Sequence, residues 1–139
     1  IYAECGGFMY LCETLTDRKG CCWEMCGVHP VHTRMTARLR RLGYVEVETH
    51  HDGIFGRAGT KLRGHEFHWS EITERCSGLE RLYTARFSRD SATRELGVRQ
   101  GNVWSSYVHV HFASNPCVCR NWYEEVKRPE PERSREGRR

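Results

Sequence analysis

Residues 1–11 read IYAECGGFMYL and place a cysteine between a short strand-like stretch and a helix. Cys5 is followed by two glycines, and Ala3 lies two residues before it. A sharp strand-to-helix turn needs small residues on both sides, because the backbone bends steeply and leaves no room for side chains. A buried structural cysteine needs no such neighbours. The pattern therefore predicts a nucleophile on a turn, followed by a helix from Gly6 to about Leu15.

Cys5 at the start of a helix is suited to nucleophilic chemistry. Free backbone N–H groups and the helix dipole lower the pKa of a thiol at such a position, so we expect a lowered pKa for Cys5. The N–H of Gly6 is in position to bind the oxyanion that forms when an acyl carbon is attacked. Gly7 lets a substrate or a neighbouring strand come close.

A cysteine nucleophile also needs a general base, which is usually a histidine. Among the eight histidines, His109 and His111 lie in the apolar, strand-like stretch SSYVHVHF (105–112) near the end of the domain. A histidine on a strand late in the domain can lie at the same edge of a sheet as the nucleophile. Residues two apart on a strand share a face, so periodicity does not choose between them. A metal site combining this pair with His65 and His68 is the alternative.

The rest of the chain predicts a strand-rich domain. GYVEVETH (43–50) alternates, with Val45 and Val47 on one side and acidic residues on the other. Further candidates are the strands HEFHWSEI (65–72) and RLYTARFS (81–88) and a short helix through Trp122 and Tyr123. The sequence contains neither GxxxxGK[ST] nor GxGxxG, so no ATP-binding loop is predicted.

The charge of the chain is concentrated at its end. Residues 127–139, KRPEPERSREGRR, hold six basic and three acidic residues and account for three of the four net positive charges. This segment has almost no apolar residues, which predicts a disordered tail and not a nucleic-acid-binding surface. No apolar run approaches the roughly 20 residues of a membrane span. We therefore expect neither nucleic acid nor a membrane as a partner.

Eight cysteines raise the alternatives of a zinc site and of free thiols. Structural zinc sites generally use two well-spaced ligand pairs, and Cys22 and Cys26 with Cys117 and Cys119 would form such a site, although no CxxC pair occurs. The chain would then be a non-catalytic, zinc-stabilised binding module. Scattered reduced cysteines are typical of a cytoplasmic protein, and this is the interpretation we favour.

Three stretches together resemble one family. AECGGFMYL (3–11), LRGHEFHWS (62–70) and SSYVHVHFASNP (105–116) are similar to the glutaminase domain of the cobyrinic acid a,c-diamide synthases. The resemblance covers about residues 1–116 and leaves 117–139 as a short helix and tail. It implies an α/β, flavodoxin-like, triad-type (class I) glutamine amidotransferase domain, of which the chain is the C-terminal portion. It also implies that the chain is not competent alone.

The resemblance implies an activity as well. In that family the matching cysteine, Cys5, attacks the side-chain amide of glutamine, ammonia leaves, and water hydrolyses the thioester to glutamate. The ammonia passes to an N-terminal synthetase domain, which uses ATP and magnesium to amidate the a and c acetates of a tetrapyrrole. The implied partners are glutamine, that domain and, through it, the tetrapyrrole. No cofactor or metal is expected in this chain.

The resemblance also selects residues. Related amidotransferases keep a Tyr-apolar-His step that matches residues 107–109, which favours His109 as the base and leaves His111 to orient the pocket or pack beneath it. Glu66 and His68 could line the glutamine pocket or the interface with the synthetase domain, or simply satisfy buried polar groups on a strand. The usual third acid of the triad is not clearly present, and Glu66 is given no such role.

Related activities remain as alternatives. Nickel-sirohydrochlorin a,c-diamide synthase and cobyric acid synthase share the glutaminase chemistry, and the metal and ring type are chosen outside this chain. Arg38, Arg40 and Arg41 could face an acidic tetrapyrrole or the partner domain, but we interpret them as a solvated helix face.

Overall fold

The computed structural model describes residues 1–75, 78–88 and 92–127, and most of these lie in strands or their connections. The strands are β1 (Tyr2–Glu4), β2 (Cys12–Thr16), β3 (Cys22–Glu24), β4 (His29–Met35), β5 (Arg41–Thr49), β6 (Lys61–His68), β7 (Ser70–Arg75), β8 (Tyr83–Phe87), β9 (Thr93–Leu96), β10 (Val98–Gln100), β11 (Val103–Ser106) and β12 (His109–His111). The helices are α1 (Gly6–Leu11) and α2 (Pro116–Lys127), with a 3₁₀ turn at Phe112–Ser114. The predicted disorder of the tail falls on residues 128–139, outside the described part.

The strands form three sheets. Their orders are β1-β11-β10, β12-β6-β5-β8-β9 and β3-β2-β4-β7. The pairs β1 with β11 and β2 with β4 are parallel, whereas the five-stranded sheet is antiparallel throughout. Two parallel strands cannot be joined by a tight turn and need a long connection between them. Here β1, at the start of the chain, pairs with β11, about 100 residues later.

Strands β5 and β6 confirm the predicted alternation. Val45 and Val47 on β5 are buried with Leu62 on β6, and the residues between them are exposed. This is the pattern of an antiparallel sheet with one face on a core. The core beneath it includes Phe55 and also Trp104, which comes from β11 in the sheet of β1.

A second, smaller core lies under α1. Phe8 is 1% exposed and packs its ring edge against Tyr107, with Cys12, Val31 and Val98 around it. Burying a side chain of this size stabilises the fold by about 1.5–3 kcal/mol. This core fixes the short helix that follows Cys5.

The predicted end of the first helix was wrong. Helix α1 ends at Leu11, and residues 12–16 continue as β2. The apolar residues up to Leu15 have helical spacing, but two threonines in CETLT favour a strand. Pairing of β2 with β3 and β4 supplies the backbone hydrogen bonds that a longer helix would have made.

Two further predictions were also wrong. SSYVHVHF is not one strand, because β11 ends at Ser106 in one sheet and β12 begins at His109 in another. The Ser106 hydroxyl accepts the Val108 N–H at 3.0 Å and thereby holds the bend between them. The arginines at 38 and 40 lie on the connection before β5, and Arg41 begins β5, so they form no helix face.

Helix α2 confirms the predicted short helix through Trp122. It begins at Pro116, a residue favoured at the first helical position, and the Asn115 side chain accepts the Cys117 N–H at 3.2 Å. Val118 is fully buried and Trp122 packs against the same core. No helix in the described ranges is long and apolar enough to cross a bilayer.

Candidate active site

Cys5 occupies a strained turn between β1 and α1. Its φ is 46° and its ψ is −102°, and among the described residues it is the one non-glycine with positive φ. Such conformations cost about 1–3 kcal/mol and cluster at functional sites. The Cys5 N–H donates to the Ser106 carbonyl at 2.8 Å, and its carbonyl accepts the Met9 N–H at 3.0 Å. These bonds hold the turn in place.

The small residues beside Cys5 are explained by a close approach. A Cβ added to Gly7 would lie 3.2 Å from Cβ of Ala3, tighter than nine in ten such contacts. The strand and the helix therefore nearly touch across the turn. Gly6 is exposed, with nothing within 4 Å of an added Cβ, which leaves its surroundings open.

The thiol of Cys5 is half-buried, and this changes its acidity. Its Sγ lies 3.9 Å from the Phe67 carbonyl. Burial raises the pKa of the thiol, the Gly6 N–H lowers it, and the carboxylates of Glu4 and Glu66 raise it further. The expected lowering of the pKa is wrong in net direction, because burial and the two carboxylates outweigh the hydrogen bond from the Gly6 N–H. The thiol needs a base to become a nucleophile at neutral pH.

His109, the first residue of β12, contacts Glu4, which ends β1 and directly precedes Cys5. Its Nδ1 is 3.6 Å from Oε2 of Glu4. Its ring stacks on His65 of the neighbouring strand, with centroids 4.9 Å apart and planes 13° apart. His111 is exposed on the same strand. His109, and not His111, thus contacts the residue that precedes Cys5.

Strand β6 carries the other predicted site residues on its buried face. Glu66 is 3% exposed and His68 is 8% exposed, whereas His65 and Phe67 point to the opposite, exposed face. The two buried side chains line a cavity of about 300 Å³, together with Arg41. Burial raises the pKa of the Glu66 carboxyl, and the Arg41 and Arg94 guanidinium groups lower it.

His68 is held in one orientation. Its ring stacks on Tyr107 with centroids 3.9 Å apart, and its Nδ1 lies 2.8 Å from the Ser70 carbonyl. Because a carbonyl only accepts, Nδ1 carries the proton and Nε2 has the lone pair. Burial lowers the pKa of His68. The neutral ring therefore offers a hydrogen-bond acceptor.

The two metal sites considered as alternatives have no matching group of side chains in the part of the chain that the structure describes. There, no three histidine, cysteine, aspartate or glutamate side chains are grouped so that they could hold a metal ion. His65 and His68 lie on opposite faces of β6, because they are three positions apart on a strand. The four-histidine site and the four-cysteine site do not form among these residues.

Two residues at the site were missed by sequence reasoning. Glu4 contacts His109, and Tyr107 stacks on His68 while its hydroxyl accepts the Ser70 hydroxyl at 2.9 Å. The position of Glu4 directly before the nucleophile was a signal that could have been used. A tyrosine in an otherwise apolar stretch was another, since a buried hydroxyl needs a partner.

Comparisons with known proteins show which family the chain belongs to. The family model for the CobB/CobQ-like glutamine amidotransferase domain matches residues 1–117. The chain belongs to this family. The resemblance predicted from the three sequence stretches is thereby confirmed.

Similar proteins include three cobyrinate a,c-diamide synthases. That of Syntrophotalea carbinolica is 47% identical over 122 residues, covering 86% of this chain and 27% of the relative. Those of Salmonella typhimurium and Streptococcus sanguinis are 37% and 39% identical, covering 92% and 91% of this chain and 28% of each relative. The chain thus spans little more than a quarter of their length.

A solved structure shows the same fold. A glutamine amidotransferase crystal structure matches with a TM-score of 0.57 and 20% identity, covering 90% of this chain and 59% of that one. The predicted α/β amidotransferase fold is confirmed. The likeness at this identity concerns the fold alone.

Proposed function

We propose that this chain is the glutaminase portion of an ATP-dependent tetrapyrrole a,c-diamide synthase acting on cobyrinic or hydrogenobyrinic acid. The observation that carries the proposal is the strained backbone of Cys5, at φ 46°, on a turn between a strand and a helix. A thiol on such a turn is exposed to a substrate at the edge of the sheet. The similarity to cobyrinate a,c-diamide synthases supports the substrate class.

The proposed reaction proceeds through a thioester. His109 removes the proton of the Cys5 thiol, and the sulfur attacks the side-chain amide carbon of glutamine. The Gly6 N–H donates to the oxygen on which negative charge develops. The C–N bond breaks, and His109 gives its proton to the departing ammonia. Water then cleaves the thioester, which releases glutamate and restores the thiol.

We assign glutamine binding to the cavity beside β6. Glutamine carries an ammonium and a carboxylate, and the cavity offers a buried carboxylate, Glu66, and a guanidinium, Arg41. An ionised Glu66 would bind the ammonium and Arg41 the carboxylate. His68 would supply an acceptor from its Nε2. Gly7 would leave the space that the substrate needs near the thiol.

The remaining steps belong outside this segment. The chain has no ATP-binding loop, so ATP and magnesium would be held by a synthetase domain that also binds the tetrapyrrole. Seven cysteines in the described ranges are free thiols, which suits a reducing cytoplasm.

The proposal is tested by Cys5→Ser in the complete enzyme. Glutamine-dependent amidation should be lost, because serine in this site forms no thioester, whereas ammonia-dependent amidation should persist. Both activities are measured as ligated product from glutamine or from ammonium chloride. Cys21→Ser, at an exposed turn, is the matched control and should keep both. Near-normal glutamine turnover by Cys5→Ser would show that the nucleophile is elsewhere.

A further inference from the structure

Glu4 stands directly before the nucleophile, and its carboxylate contacts the proposed base. Its Oε2 lies 3.6 Å from Nδ1 of His109. This distance suits a charge pair and is slightly longer than a hydrogen bond. The side chains of Glu4 and His109 are 25% and 35% exposed, so the pair is partly shielded from water.

The second oxygen of the Glu4 carboxylate is fixed by two hydrogen bonds. Oε1 accepts the Tyr2 hydroxyl at 2.7 Å and the Val110 N–H at 2.8 Å. Val110 follows His109 on β12, so the carboxylate ties β1 to the strand that carries the base. Oε2 is left to face the imidazole.

The groups that hold Glu4 are themselves rigid. The Tyr2 ring packs edge-on against Phe55 and Trp122, with centroids 5.1 and 5.2 Å away. On the other side, His65 stacks on His109 and limits rotation of its ring. A side chain locked in this way can set the orientation of its neighbour.

We propose that Glu4 is the positioning residue that holds His109 in the tautomer needed for catalysis. A carboxylate at Nδ1 keeps the proton there, so Nε2 has the lone pair that accepts the thiol proton. The contact shortens to a hydrogen bond as the imidazolium forms, as catalytic contacts do when substrate binds. Glu66 lies on the opposite face of β6 from His65, the residue on which His109 stacks, so it does not serve this purpose. This inference rests on the proposed glutaminase function.

Glu4→Gln in the complete enzyme is the direct test. The amide oxygen can still accept from Tyr2 and Val110, but an NH₂ group replaces the oxygen that faces Nδ1 and favours the wrong tautomer. The kcat for glutamine hydrolysis should fall about 10- to 100-fold, the loss seen when the partner that orients a metal-bound histidine is removed. The KM for glutamine and the ammonia-dependent amidation should not change. An unchanged kcat would overturn the proposal.

A double-mutant cycle separates positioning from general stabilisation. If Glu4 acts through His109, Glu4→Gln should cause no further loss in a His109→Ala background. If Glu4→Gln lowers kcat by the same factor in the His109→Ala background as in the wild-type enzyme, the proposal is overturned. Glu46→Gln, the same change on the exposed face of β5, is the control and should stay within about twofold of wild type. If His109→Ala itself keeps full turnover, the proposed base is wrong and this inference falls with it.

The tautomer can also be observed directly in the wild-type enzyme. The ¹⁵N shifts of the His109 ring, assigned by comparison with His109→Ala, report which nitrogen carries the proton. In the wild-type enzyme the neutral ring is expected to carry its proton on Nδ1 and to leave Nε2 free. A neutral ring protonated at Nε2 would refute the role of Glu4, even where Cys5→Ser had supported the glutaminase function.

Discussion

Gly64 decides how closely the strand of the proposed base approaches β6. A Cβ added at Gly64 would lie 2.3 Å from the backbone carbonyl oxygen of His109. Real Cβ atoms essentially never come within 3.0 Å of another heavy atom, so Gly64→Ala forces the two strands apart by about 0.7 Å, the difference between these distances. The obstacle is backbone, which cannot rotate away.

The expected cost of Gly64→Ala is large for one methyl group. Overpacking of this kind destabilises by about 1–3 kcal/mol. With a urea dependence of about 2 kcal/mol per molar, the midpoint of unfolding should fall by roughly 0.5–1.5 M. The shift also moves His109 relative to Cys5. Since a misplacement of about 1 Å can cost 10²-fold in rate, kcat for glutamine hydrolysis should fall at least about tenfold.

The assay compares Gly64→Ala with Gly43→Ala in the complete enzyme. Gly43 lies on the adjacent β5 and has nothing within 4 Å of an added Cβ, so its substitution changes the chain in the same way without a clash. Gly43→Ala should keep its kcat and hold or raise the urea midpoint of glutaminase loss, because alanine restricts the unfolded chain. Equal midpoints and equal kcat for the two variants would refute the close approach of β12.

Two further predictions concern buried titratable groups. Burial raises the pKa of the Cys5 thiol, so its alkylation by iodoacetamide should rise at a higher pH than the alkylation of free cysteine. Peptide mass spectrometry measures the alkylated fraction. Faster reaction than free cysteine at neutral pH would contradict this prediction. The raised pKa of Glu66 means that stability falls as pH rises through that pKa. Glu66→Gln should therefore raise the urea midpoint at about pH 8 but not at about pH 4, and should raise the KM for glutamine; an unchanged KM would remove Glu66 from the pocket.

The turn around Cys5 could be predicted because its requirements are local. Small residues at positions 3 and 7 answer one steric demand, and that demand is visible as the contact between Ala3 and Gly7. The alternation of β5 and β6 was equally readable, since one face of each strand is buried and the other is not. Patterns of this kind depend on neighbours within a few residues.

The rest depended on contacts far apart in sequence. Leu15 has helical spacing, yet pairing of β2 with β4 overrides it. Nothing in SSYVHVHF marks the point where the chain leaves one sheet for another, because both halves are equally apolar. The contact of Glu4 with His109 joins residues 105 positions apart, and a period cannot reveal it. Burial, and with it the raised pKa of Cys5, follows from the same distant packing.

Strand β6 also limits how this family can vary in length. On its eight residues, one face presents Glu66 and His68 to the cavity, the other presents His65 to His109, and the Phe67 carbonyl reaches Cys5. Loss or gain of one codon here would exchange the two faces and displace every one of these groups together. The turn at Gly20 is exposed and has a positive φ, and it presents no side chain to the proposed site. Insertions and deletions that survive selection should therefore accumulate at that turn, while β6 keeps a constant length and diverges by substitution alone.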